Sequence, residues 1–120
     1  MSNAAATRPA TSEYAPYYER YVGLVPDGDV IQTLSTQLED ALATLGAISE
    51  AQAGYRYAPE KWSIKEVIGH IIDSERIFAY RALCFARNDA RPIAGFEQDD
   101  YMQNSDFDSR CRRGRLGMGF

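Results

Sequence analysis

Histidine is almost absent from this chain, with one residue, His70, among 120. Cysteine occurs twice, as Cys84 and Cys111, too far apart for a C-x-x-C pair, which excludes a zinc knuckle and a thioredoxin-type redox site. A structural disulfide is not expected in a cytosolic protein. No glycine-rich phosphate loop, G-x-S-x-G elbow or H-E-x-x-H pair is present. Triad chemistry would need a Ser or Cys partner for the single histidine, and nothing in the sequence marks one. Long apolar runs are also lacking. None approaches the roughly 20 residues of a membrane-spanning helix, so no membrane partner is expected. The opening residues, MSNAAATRPATSE, lack the apolar core of a secretory signal, and a cytoplasmic location is the expectation. The net charge of -4 argues against a nucleic-acid binder.

What is present is an ordinary globular balance, 25% charged and 45% hydrophobic, in a length that suits one domain. Residues 1–13 carry no periodicity and read as a flexible leader. Pro16 suits the first turn of a short helix. Tyr17, Tyr21 and Leu24 follow at helical spacing, as a lid over a larger apolar surface. Asp29 reads as an N-cap, with Gln32 as its capping-box partner. Ile31, Leu34, Leu38, Leu42 and Leu45 then recur in steps of three and four, which predicts an amphipathic helix over 30–47. Gln32, Thr33, Glu39 and Asp40 occupy its other face. Residues 49–62 form a connection, broken by Gly54 and Pro59.

Ser63-x-x-Glu66 is a capping box, and Trp62 stands where a hydrophobic staple onto Val67 would begin. The helix it opens should run over 64–87, because Asn88-Asp-Ala-Arg-Pro92 ends it. Its apolar positions span about 240° of the helical wheel, including Ile64, Val67, Ile68, Ile71, Ile72, Phe78, Ala82, Leu83 and Phe85. One other long helix cannot cover such an arc. The remaining cover must come from a second chain or from further protein. Glu97–Gln103 suits a short helical turn, and residues 110–120, RCRRGRLGMGF, have no helical period.

The chemistry centres on His70. Glu66 lies four residues before it, Asp73 three after and Ser74 four after, all on one helix face. An imidazole flanked by two carboxylates suits a divalent metal, with Glu66 and Asp73 in support, or a network that orients the ring. The plainer reading is a boundary histidine hydrogen-bonded to a neighbouring carboxylate. Cys84 cannot join this group, since fourteen residues of helix separate the two by about 21 Å. It reads as a buried packing residue. Glu97, Asp99 and Asp100 read as a solvated helix start. The terminal arginines form a short run without interleaved aromatics, so no nucleic-acid partner is expected.

Three stretches together resemble the DinB-like family: Tyr18-Glu-Arg-Tyr-Val-Gly-Leu-Val-Pro-Asp-Gly-Asp29, Tyr55-Arg-Tyr-Ala-Pro-Glu-Lys-Trp-Ser-Ile-Lys-Glu-Val-Ile-Gly-His70, and Ile71-Ile-Asp-Ser-Glu-Arg-Ile-Phe-Ala-Tyr-Arg-Ala-Leu83. Pro92-Ile-Ala-Gly-Phe-Glu-Gln-Asp-Asp-Tyr101 fits the same pattern. The resemblance implies an all-α, up-and-down four-helix bundle, often dimeric, holding a divalent metal (zinc or nickel) on three histidines. His70 matches the first of these. The other two belong to a His-x-x-x-His pair on a later helix, and this sequence has no such pair. Related thiol transferases and isomerases use the metal to activate a thiol or water on a small-molecule substrate. The sequence departs from the pattern near Arg110. The expectation is therefore an N-terminal part of the bundle over 14–110, with the C-terminal helices missing through truncation or a frame shift and a non-family tail over 111–120. An enzyme of this type would be inactive in that form. The alternative is a non-catalytic helical fragment that self-associates through its exposed apolar faces.

Overall fold

The computed structural model describes residues 7–110. The chain divides into two compact units, one up to Ala47 and one from Ile48. The all-α architecture expected from the sequence holds, with no strand among the described residues. The expected tail over 111–120, including Cys111, lies outside the described residues, as do the first six residues of the expected leader.

In the first unit, a 3-10 turn at Pro16–Tyr18 runs into the one-turn helix α1, Glu19–Val22. Arg8, within the expected leader, donates to the carbonyls of Val22 at 2.6 Å and Val25 at 2.5 Å, and to Asp27 Oδ1 at 2.9 Å. The rings of Tyr17, Tyr18 and Tyr21 pack on one another, and the Arg20 guanidinium lies 4.0 Å from the centre of the Tyr17 ring. All three tyrosines remain exposed and form a ring cluster within this unit. Gly28, at φ +129°, turns the chain in a region that side-chain-bearing residues avoid. Helix α2 then runs Val30–Gly46. The Asp29 carboxylate accepts from the N–H groups of Ile31 and Gln32, so Gln32 enters the cap through its backbone. No residue of α2 is buried.

The second unit begins with α3, Glu50–Ala53, a single turn inside the stretch expected to be a plain connection. It forms because Ser49 and Gln52 make a reciprocal capping box, at 3.1 and 2.8 Å. Lys65 Nζ, 2.6 Å from Glu50 Oε1, ties this turn to the next helix. That helix, α4, runs Ile64–Ala86, opened by the Ser63–Glu66 box. Its end is a Schellman motif. Asn88 sits at φ 52°, its N–H bonds the Phe85 carbonyl, and the Asp89 N–H reaches back to Cys84. The chain then returns along α4 through α5, Gln98–Gln103, and a 3-10 turn at Phe107–Ser109.

The core of this unit is small: Ala53, Cys84, Met102 and Phe107, with the Ser63 hydroxyl fully enclosed. It lies against the face of α4 that carries Gly69 and Cys84. Gly69 permits this, because any Cβ there would collide with the Phe107 ring. The apolar face of α4, with Val67, Ile71, Phe78 and Phe85, stays exposed.

Candidate functional site

His70 lies near the start of α4, half-buried. The ring of Trp62, expected to staple onto Val67, lies against the imidazole, with centroids 5.2 Å apart and planes at 55°. An aromatic neighbour of this kind limits the rotamers of the imidazole and shields one of its faces from water.

Glu66, one turn before, is drawn into a different network. Its Oε2 accepts from the Ser63 N–H at 2.8 Å and from Arg56 Nη1 at 2.5 Å. Arg56 also donates to the Lys61 carbonyl at 2.7 Å and forms an ion pair with Asp108. Ser63 closes the ring: its Oγ donates to Asp108 Oδ1 at 2.6 Å and accepts from the Glu66 N–H at 3.1 Å. The hydrogen bond from Ser63, and then the hydrogen bond and positive charge of Arg56, hold the Asp108 carboxyl below its usual range. The same carboxylates, Glu66 first, push the Arg56 guanidinium further up. The carboxylate expected to support His70 is thus a helix cap and an ion-pair partner.

Asp73, one turn after His70, is half-buried, and its carboxylate lies 3.9 Å from Arg76. It opens onto a polar cleft of about 500 Å³ shared with Asp100, Asn104, Asp106 and Arg110. His70 and Glu66 are not among the walls of that cleft. Among the described residues, no group of three or more His, Cys, Asp or Glu side chains is placed to hold a metal ion. With one imidazole in the whole chain, these residues do not fit the three-histidine centre that the resemblance implies.

Sequence reasoning missed Arg56 and Asp108. Arg56 stands in a loop without periodicity, and Asp108 is far along the chain from Ser63, so no local pattern links them. Cys84 is buried, as expected. Asp99 and Asp100 fall in the first turn of α5, where carboxylates suit the helix dipole.

The described elements are helical, and the second unit is organised on one long, boxed helix that carries a half-buried imidazole beside a tryptophan. No described helix is long and apolar enough to cross a membrane. The chain belongs to the DinB superfamily, whose family model matches residues 33–113. No curated protein and no solved structure matches it.

Proposed function

We propose that this chain works as a self-associating helical module, with a second copy covering the apolar faces of α2 and α4. One observation carries the reading. Ile31, Leu34, Leu38 and Leu42 on α2 are 48–68% exposed, and Val67, Ile71, Phe78 and Phe85 on α4 are 42–75% exposed. On α4 the steps are four, seven and seven residues, the repeat of a coiled-coil seam. A seam of this kind matches another helix far better than a flat surface or a small ligand. Two copies contribute four long helices, the number a four-helix bundle needs, under the two-fold symmetry common to homodimers. Each such side chain contributes about 1.5–3 kcal/mol when fully buried. Several together offset the association cost of about 4–15 kcal/mol.

Light scattering after size exclusion tests this. The expected mass is twice 13.4 kDa. Leu38→Glu with Ile71→Glu should give a folded species of single-chain mass. A wild-type chain that stays monomeric when concentrated overturns the reading.

A second reading, a divalent-metal-dependent transferase or hydrolase of the DinB type, draws support from the half-buried imidazole held beside Trp62. In it, His70 is one ligand for zinc or nickel, and further donors come from outside residues 7–110. Metal analysis of the purified wild-type chain and of His70→Ala tests it. Near-stoichiometric metal lost in the variant supports a ligand role, and equal metal in both removes His70 from the site.

A further inference from the structure

A second cavity, of about 550 Å³, lies between the C-terminal half of α4 and the chain that returns along it. Its volume falls in the range of small-molecule sites. Its walls carry three arginines, Arg76, Arg81 and Arg91, against one carboxylate, Asp89. That carboxylate is already spent. It accepts from Arg91 Nε at 2.9 Å, from Nη2 at 2.6 Å and from the Arg91 backbone N–H at 3.0 Å. Arg76 is shared weakly with Asp73, at 3.9 Å.

Among the described residues no carboxylate pairs with Arg81, and its guanidinium lies 5.8 Å from the centre of the Phe78 ring. Its Nη2 donates to the Ala94 carbonyl at 3.1 Å, which holds the guanidinium between α4 and the returning chain. Its Nε is shut off from solvent and has no hydrogen-bond partner, so the charge is offered through the terminal nitrogens. A guanidinium that has lost part of its hydration, and meets only a carbonyl and a ring face, still favours an anion. Beside it the walls are apolar: Ile77, Ile93, and the rings of Phe96 and Tyr101, whose centroids lie 5.1 Å apart. A positive centre beside an aromatic wall selects a ligand that has both a negative end and a flat apolar body.

We propose that this cavity binds a small aromatic carboxylate, its charge on Arg81 and its ring against Phe96 and Tyr101. This site does not include His70 and does not depend on metal.

The test is an NMR titration of the full chain with benzoate and, separately, with benzamide, the neutral compound of the same shape. Benzoate should bind saturably, with shift changes centred on the amides of Ala94, Phe96 and Tyr101. Benzamide should bind at least about tenfold more weakly, the loss expected when a charged hydrogen bond is removed. Arg81→Gln should bring benzoate down to the level of benzamide. Absence of saturable benzoate binding, equal binding of the two compounds, or shifts centred elsewhere overturns the proposal. The benzoate-to-benzamide contrast is read on the wild-type chain, so it holds even if Arg81→Gln disturbs the loop at Ala94.

Discussion

At the scale of single residues, Ser63 shows how one side chain serves two levels of structure. Its hydroxyl caps α4 locally and bonds Asp108 on the returning chain. Arg56 completes the arrangement by pairing with both Glu66 and Asp108. The lowered pKa of Asp108 makes this network sensitive to acid. A carboxyl held below its unfolded value adds stability at all pH above that value, about 3.9, and loses it as pH falls through the lower folded value. Asp108→Asn should therefore be less stable than wild type at neutral pH. Its denaturant midpoint should also decline less below about pH 4. The effect is moderate, because Asp108 is half exposed and salt screens it. Parallel curves for the two proteins across that range would show that the carboxylate contributes nothing in the folded state.

At the scale of elements, the ends of the helices were legible in the sequence because their causes are local. The Ser63–Glu66 box, the Asp29 cap and the stop at Asn88 each depend on residues two to five positions apart. The same rule would have found α3, since Ser49-Glu-Ala-Gln52 has the same box spacing, but Gly54 and Pro59 drew the reading toward a loop. The contact of Trp62 with His70 was not legible, because the face to which a side chain turns is decided by what packs over it. Docking between elements is a separate matter. The 3-10 turn at Phe107–Ser109 sits on α4 only because Gly69 lacks a side chain. Gly69→Ala should raise helix propensity and still destabilise the second unit, by about 1–3 kcal/mol, as overpacking does. Chemical denaturation measures the sign. A neutral or stabilised variant would mean that Phe107 moves aside freely.

At the scale of the whole molecule, the amphipathic pattern predicted more apolar surface than one other helix could cover. In the second unit, Cys84, Met102 and Phe107 form the core, and Val67, Ile71, Phe78 and Phe85 remain outside it. If a second copy covers them, the melting temperature must rise with protein concentration, because dimerisation adds stability by mass action. Leu38→Glu with Ile71→Glu should remove that dependence. Scanning calorimetry over a range of concentrations reads both, and a wild-type melting temperature that does not move with concentration tells against the dimer.

By itself the sequence determined the all-α class, both long helices nearly to their ends, the burial of Cys84 and the membership of the DinB superfamily. The first three follow from periodicity and caps within one stretch of chain, and the family from motifs that recur in order along it. Only the tertiary structure decided the fate of the candidate site. It pairs Glu66 with Arg56, places Asp73 on the wall of a polar cleft, and sets the Trp62 ring beside His70. It also leaves Arg81 with no carboxylate partner among the described residues, in a cavity that no local pattern announces. The reason is physical. A helical wheel fixes which residues share a face, but hydrogen bonding and charge pairing with distant segments decide which of them meet.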